Sequence, residues 1–232
     1  MEMIAENIQR IQNLIEMAAL RSGRQPESVQ LVVVSKMVKV ESILKALASG
    51  INCLGENRVQ EAQSKKVALT GLDYEYHLIG PLQTNKVKLA INTFDCIQTV
   101  DSLKLANRID RLAELENKVV KILIQVNIGR ELQKTGIMEN QLDEFAQQLM
   151  QLKHISVEGL MAIPPYFEDV ESVRPYFRQM KSLFNTLNDR RLARLKMDTL
   201  SMGMSNDFEI AIEEGATMVR VGSAIFGKRS II

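Results

Sequence analysis

Tryptophan is absent from this 232-residue sequence, and cysteine, histidine and proline are scarce, with two, two and five residues. Two cysteines, Cys53 and Cys96, are too few for the disulfide framework of a small secreted domain. Neither belongs to a C-x-x-C motif or a Cys/His cluster of the kind that binds zinc, so we predict no metal site. Both lie in apolar runs, which is typical of a reducing compartment and predicts a cytoplasmic protein.

The sequence also lacks a net charge of either sign and a long apolar segment. Lys and Arg number 29 and Asp and Glu number 28, which gives a formal net charge of +1 and no basic field for nucleic acid. No run approaches the roughly 18 apolar residues of a membrane span. Glu2, Glu6 and Arg10 interrupt the region where a signal peptide would be apolar. We therefore expect neither nucleic acid nor membrane as a partner.

Short β-branched runs that alternate with helical patterns are abundant. Apolar residues at spacings of three and four predict a leading helix over residues 1–23, which Gly23 and Pro26 end. After it, unbroken apolar runs are typical of parallel strands that are buried on both faces. The eight predicted strands are Leu31–Val34, Ile51–Leu54, Tyr76–Ile79, Cys96–Val100, Val119–Val126, Val157–Met161, Met197–Met202 and Met218–Val221.

Eight strands that alternate with helices predict an α/β fold, a closed (β/α)₈ TIM barrel over residues 31–227. The rival fold is a doubly wound open sheet, in which a glycine-rich turn follows the first strand. Here Ser35-Lys36-Met37-Val38 follows it and contains no glycine, so the barrel is favoured. No linker divides the chain, and we predict a single domain over residues 1–232 with an extra N-terminal helix.

Lys36 is the first candidate functional residue, because catalytic and binding groups of barrels cluster where strands end. It comes directly after a fully apolar strand. Partial burial there would favour the neutral amine that a Schiff-base lysine needs. The alternative is a lysine whose side chain simply extends from the strand end to solvent.

The loops after strands 7 and 8 form the second candidate, because barrels often bind phosphate there. Ser201-Met202-Gly203-Met204-Ser205 offers two hydroxyls and a glycine that permits close backbone approach, and Gly222-Ser223 offers a second such turn. Ordinary turn and capping chemistry is the alternative for each loop alone. The two loops together favour phosphate binding.

Arg220 lies within the eighth apolar run, and strand alternation predicts that it points into the barrel. It could form an ion pair with Glu56, or it could donate to a ring nitrogen or an oxyanion. A strand-end lysine, a phosphate site and an inward arginine together indicate a phosphorylated aldehyde cofactor. Pyridoxal 5'-phosphate fits that description.

Five stretches carry a resemblance along nearly the whole chain. They are Val33-Val34-Ser35-Lys36, Gly55-Glu56-Asn57 with Gln60-Glu61, His77 through Lys86, Gly159 through Pro164, and Ser201 through Gly227. With these motifs the chain resembles the YggS/PROSC family of pyridoxal phosphate homeostasis proteins, which are similar to the N-terminal barrel of alanine racemase. The resemblance implies that Lys36 forms the internal aldimine and that Arg220 faces the pyridine nitrogen. It further implies a phosphate site and a pocket formed by Ser201, Met204, Ser205, Gly222, Ser223, Asn57 and His77.

The resemblance also bears on activity. Racemases of this type add a second domain that supplies a tyrosine or cysteine for proton transfer, and few residues follow Val221 here, so we expect no such domain. An arginine at the ring nitrogen also leaves a weak electron sink. We therefore predict a monomer that binds, stores and carries pyridoxal phosphate, with dependent apoenzymes as partners, and that lacks robust catalysis. The alternative is a small racemase or amino-acid lyase that uses the same cofactor.

Overall fold

In a computed structural model of the chain, residues 2–131 and 133–227 are described; residues 1, 132 and 228–232 of the predicted domain lie outside the described residues. Eight parallel strands close into a barrel in chain order, and β1 pairs with β8. The predicted (β/α)₈ fold is therefore confirmed. The strands are β1 Gln30–Val34, β2 Cys53–Glu56, β3 Glu75–Leu78, β4 Cys96–Val100, β5 Val120–Val126, β6 Ile155–Ala162, β7 Leu195–Met204 and β8 Met218–Val221.

Helices follow the strands and cover the outside of the barrel. Short 3₁₀ turns precede three of them, at Thr84–Lys86, Glu139–Gln141 and Val170–Val173. No helix within the described part of the chain is long and apolar enough to cross a membrane. The helices are α1 Glu2–Arg21, α2 Val40–Ala48, α3 Val59–Ala68, α4 Val87–Thr93, α5 Leu103–Leu115, α6 Leu142–Leu149, α7 Arg174–Asp189, α8 Phe208–Glu213 and α9 Ser223–Phe226.

The leading helix α1 packs on the flank of the barrel, against α2, α8 and α9. Its apolar stripe is buried there, with Ile8 and Ile11 each 1% exposed. Arg21 pairs with Glu209 and Glu213 of α8, at 3.0 and 2.8 Å. The apolar residues whose spacing predicted the helix thus form the face of α1 that contacts the barrel's outer helices.

Alternation along the strands separates two apolar regions. Outward side chains form one large core between the barrel and its helices. Inward side chains form two small clusters inside the barrel, which are Val32 with Cys53 and Met218, and Cys96 with Leu123 and Met161. Polar residues share this interior with them, and the inward residues at the carboxyl ends of the strands reach the functional site.

Candidate functional site

A cavity of about 450 Å³ opens where the strands end and the βα loops begin. Its volume lies within the range of small-molecule sites. Residues from the ends of β1, β2, β7 and β8 converge on it, although they are far apart in the chain. Seven of the nine predicted site residues line the cavity: Lys36, Asn57, Met204, Ser205, Arg220, Gly222 and Ser223.

The turn that carries Lys36 is held on both sides by hydrogen bonds. Lys65 Nζ donates to the Ser35 carbonyl oxygen at 2.7 Å, and the Met37 N–H donates to Glu61 Oε1 at 2.5 Å. Met37 has a φ of 56°, in the left-handed region that residues other than glycine rarely adopt. The flanking bonds stabilise this turn, so that Lys36 leaves the strand at the cavity wall and is half-buried there.

Glu56 pairs with Lys65, so the alternative in which Glu56 pairs with Arg220 is wrong. Lys65 Nζ lies 2.8 Å from Glu56 Oε2, and both residues are buried. Strand alternation gives the reason, because Gly55 faces Val32 inside the barrel and Glu56 therefore faces outward toward α3. Burial raises the pKa of Glu56, and the hydrogen bond from Lys65 opposes that rise.

Arg220 lies at the floor of the cavity and points into the barrel, as the alternation along β8 predicted. Nη1 donates to Ser201 Oγ at 2.5 Å, and Nη2 donates to the Ala162 carbonyl oxygen at 2.9 Å. Both of these partners are neutral. Burial lowers the pKa of Arg220 to about 10, against the attraction of Asp207, so the guanidinium is charged at neutral pH. The cavity therefore has a fixed cation at its base.

The loops after β7 and β8 meet at one end of the cavity. The Gly222 N–H donates to Ser205 Oγ at 3.3 Å, which ties the two loops together. Gly203 has a φ of +90°, and a Cβ at this position would lie 2.6 Å from the Cβ of Ala211. Only glycine fits there without displacing the loop. The Ser205 and Ser223 hydroxyls line the same wall, where an anion could bind.

Asp207 also lines the cavity, and the sequence analysis did not assign it to the site. Its side chain makes no capping bond to α8; instead Oδ1 accepts a hydrogen bond from the Met204 N–H at 2.5 Å. Burial raises the pKa of Asp207, and the bond from Met204 and the charge of Arg220 oppose that rise. The carboxylate thus anchors the loop after β7.

His77 and Ser201 do not line the cavity but lie inside the barrel, where both are buried. Ser201 Oγ donates to Gln98 Oε1 at 2.7 Å, and Gln98 Nε2 lies 2.8 Å from His77 Nδ1. Gln98 therefore joins β3 and β7 across the barrel. No sequence pattern predicts its contact with a serine 103 residues away.

The loops after β5 and β6 add residues that the sequence analysis did not place at the site. Lys134 lines the cavity and donates to the Pro164 carbonyl oxygen at 3.3 Å. The sequence could have indicated Lys134 as a site residue, because it lies in a loop that follows a strand of the barrel. The remaining lining from these loops is largely apolar and consists of Ile163, Pro164, Pro165, Tyr166, Phe167, Val170 and Val173.

Near the other end of the barrel, Cys53, Glu75 and His77 come together, with candidate ligand atoms within 4.8 Å of one another. The sequence predicted no such cluster, because these residues belong to two strands and to no short motif. Burial raises the pKa of the Cys53 thiol and so disfavours the thiolate that a metal ion requires.

Known proteins share both this fold and a large part of this sequence. The chain matches the alanine racemase N-terminal domain family over residues 2–230. A relative from Aquifex aeolicus, named pyridoxal phosphate homeostasis protein, is 43% identical over 224 residues, which cover 97% of each chain. The structure of PipY from Synechococcus elongatus with PLP bound has a TM-score of 0.82 and 39% identity, covering 97% of this chain and 100% of PipY.

A more distant structure shares the fold alone. Alanine racemase from Clostridium difficile superposes with a TM-score of 0.75 at 17% identity, and the match covers 99% of this chain and 57% of the racemase. The nearer relatives, by contrast, match this chain over almost their whole length. The chain belongs to the family of pyridoxal phosphate homeostasis proteins, which share the barrel of the alanine racemase N-terminal domain.

Proposed function

We propose that this protein binds pyridoxal 5'-phosphate in the cavity above Arg220 and takes part in the storage and carriage of that cofactor in the cell. One observation carries the proposal: Lys36, Arg220 and the Ser205 and Gly222-Ser223 loops all face the same cavity. An amine, a fixed cation and a set of hydroxyl and backbone donors are the groups that match an aldehyde, a pyridine nitrogen and a phosphate.

Lys36 is the residue that would bind the cofactor covalently. When bound, the cofactor supplies an aldehyde carbon that captures amines and a ring that withdraws electrons. The turn from Ser35 to Met37 holds the lysine at the cavity wall through its bonds to Lys65 and Glu61. This arrangement restricts the amine before binding and lowers the entropy that binding would otherwise cost.

The loops after β7 and β8 would hold the phosphate. The Ser205 and Ser223 hydroxyls can donate there, and the bond from Gly222 to Ser205 keeps the two loops in register. Gly203 lets the loop after β7 approach closely. Asn57 lines the wall near Lys36 and would contact the ring or its substituents.

We also propose that the protein is not a robust enzyme. Arg220 is charged at neutral pH and would leave the facing ring nitrogen unprotonated, which weakens the electron withdrawal that carbanion chemistry needs. Relatives that match along almost their whole length carry a homeostasis name. Both observations support binding and release of the cofactor over turnover of amino acids.

We propose that the protein works in the cytoplasm and passes the cofactor to other proteins. Cys53 and Cys96 are free and buried, which suits a reducing cytoplasm. The acceptors of the cofactor would be apoenzymes that depend on it. We propose a monomer, and light scattering should then give the 26.2 kDa mass of one chain.

Borohydride reduction tests the covalent link. Purified protein incubated with pyridoxal phosphate should gain visible absorbance, and reduction should fix the cofactor mass on the peptide that contains Lys36. The Lys36→Ala variant should gain no such mass, whereas Lys134→Ala, which removes another lysine of the cavity wall, should still be labelled. Labelling of Lys36→Ala at the level of the unmodified protein would refute the assignment.

Amino-acid turnover tests the claim that the protein does not catalyse. The loaded protein should convert L-alanine to D-alanine no faster than the same concentration of free cofactor does. Racemisation that depends on Lys36 and exceeds this background would support the small racemase instead.

A further inference from the structure

A chain of four polar contacts runs through the barrel from the cavity floor toward the opposite mouth. Arg220 Nη1 lies 2.5 Å from Ser201 Oγ, which lies 2.7 Å from Gln98 Oε1. Gln98 Nε2 lies 2.8 Å from His77 Nδ1, and His77 Nε2 lies 3.4 Å from Glu75 Oε2. The chain joins strands β8, β7, β4 and β3, and all of its members except Glu75 are buried.

The direction of every hydrogen bond in this chain follows from its first member. A guanidinium can only donate, so Ser201 accepts from Arg220 and uses its single hydrogen to donate to Gln98 Oε1. The amide of Gln98 then presents its N–H to His77 Nδ1, which must accept. The proton of a neutral His77 therefore lies on Nε2 and points toward Glu75. Each residue donates to the next, away from the cavity.

We propose that Gln98 and His77 are positioning residues that hold the Arg220 guanidinium in place for the ring nitrogen of the bound cofactor, an inference that rests on the proposed function. Arg220 is anchored at Nη1 by Ser201 and at Nη2 by the Ala162 carbonyl oxygen. These bonds fix the guanidinium plane while its other N–H groups remain available. Gln98 keeps the Ser201 hydroxyl turned so that its lone pairs face Arg220.

The charges at the two ends of the chain have opposite signs. Arg220 is a buried cation whose two hydrogen-bond partners are neutral oxygens. Glu75 lies at the other end, where it also lines a cleft at the amino-terminal mouth of the barrel. A donor chain that runs from a cation to a carboxylate has its dipoles aligned favourably at both ends.

A metal ion at Cys53, Glu75 and His77 is incompatible with this chain. Such an ion would take Nε2 of His77 and move the ring proton to Nδ1, where it would face the N–H of Gln98. The Gln98 amide would have to reverse so that its oxygen accepts from Nδ1. Ser201 would then accept from both Arg220 and Gln98, and its own hydrogen could no longer be donated to Gln98. The hydrogen-bond directions therefore favour the positioning role.

The variant Gln98→Leu tests the role directly, with Cys96→Ala as its matched control. Cys96 lies two residues earlier on β4 and inside the barrel, but it does not belong to the chain. The measurements are the dissociation constant of pyridoxal phosphate and the absorption maximum of the bound cofactor between pH 6 and 9. We expect Gln98→Leu to weaken binding by about tenfold and to shift the maximum, and Cys96→Ala to do neither.

A second pair of variants keeps the test decisive if Gln98→Leu does not fold. In His77→Asn the side-chain oxygen can still accept from Gln98, whereas His77→Leu offers no acceptor. His77→Asn should therefore retain the affinity and the absorption maximum, and His77→Leu should lose both as Gln98→Leu does. Equal behaviour of the two His77 variants, or of Gln98→Leu and Cys96→Ala, would overturn the positioning role.

Two further outcomes are distinguishable from these. If the unmodified protein fails to bind pyridoxal phosphate, the proposed function fails, and the positioning role, which rests on it, is overturned with it. If apoprotein binds Zn²⁺ at micromolar concentration and Cys53→Ser abolishes that binding, the metal site replaces the hydrogen-bond chain and the inference is overturned.

Discussion

Lys65 lies 2.8 Å from the carboxylate of Glu56, and the same ammonium donates to the carbonyl oxygen of Ser35, the residue before Lys36. The ion pair is buried outside the barrel wall, between β2 and α3. Its geometry thus connects the outer layer of the protein to the turn that carries the proposed cofactor lysine. Loss of Lys65 would leave the Glu56 carboxylate buried without an opposite charge, whereas loss of Glu56 would leave Lys65 paired with Glu61.

The variant Lys65→Met should be strongly destabilised. It leaves the Glu56 carboxylate buried and unpaired, which costs about 3 kcal/mol of the free energy of unfolding. Lys45→Met is the matched control, because Lys45 is exposed on α2 and should change stability little. Urea denaturation followed by circular dichroism measures both. Equal stabilities for the two variants would show that the buried pair contributes little.

The variant Glu75→Gln should change how stability depends on pH. The hydrogen bond from His77 holds the pKa of Glu75 at about 2, below its usual 4.5, even though burial acts in the opposite direction. A depressed carboxyl pKa contributes stability above pH 4.5 that is lost as the pH falls toward 2. The unmodified protein should therefore lose its advantage over Glu75→Gln in that window.

The size of this effect is limited by solvent. The Glu75 side chain is 46% exposed, so water screens the interaction and the difference should stay near 1 kcal/mol or below, about the upper value for exposed pairs. Urea denaturation at pH 6 and at pH 3 measures it. A difference between the two proteins that is constant across this range would contradict the assignment.

The variant Gly203→Ala should lose stability and cofactor affinity together. The alanine Cβ would lie 2.6 Å from the Cβ of Ala211 on α8, and the backbone has a positive φ. Gly71→Ala separates the two causes, because Gly71 also has a positive φ, of +84°, but has no atom within 4 Å of the added carbon. Gly71→Ala should cost about 1 kcal/mol and leave affinity unchanged. Gly203→Ala should cost more, and an equal cost would contradict the close approach.

Two variants of Asp207 should have opposite effects on phosphate affinity. Asp207→Asn keeps an oxygen that can accept from the Met204 N–H but removes a negative charge from the cavity wall. It should bind inorganic phosphate and pyridoxal phosphate severalfold more tightly, because like-charge repulsion is removed. Asp207→Ala should bind both less tightly, since it releases the loop. Competition between phosphate and the cofactor measures both, and weaker binding by Asp207→Asn would contradict this account.

The sequence predicted the strands best where apolar runs end sharply. β4 and β8 have the predicted limits, Cys96–Val100 and Met218–Val221. β2 lies at Cys53–Glu56, two residues later than predicted. The prediction ended this strand at Leu54 because Gly55 and Glu56 are residue types that are typical of turns. Gly55 is tolerated within the strand because its missing side chain leaves room for Val32 inside the barrel.

Site prediction was best for residues that follow a strand and poorer for those inside the barrel. Lys36 and Ser205 could be placed at the cavity because every strand of a parallel barrel ends at the same face. Ser201, by contrast, lies inside the barrel, where its hydroxyl donates to Gln98 on another strand, β4. Such contacts are set by barrel closure and strand register, and no local pattern encodes them.

The two thiols inside the barrel offer a way to follow its closure. Burial raises the pKa of both Cys53 and Cys96, so the folded protein should resist alkylating reagents. Each thiol can react only when the wall that contains it, at β2 or β4, opens to solvent. Their labelling rates thus report how often the barrel opens at two separate points, and a cofactor bridging Lys36 and the loop after β8 would slow both rates.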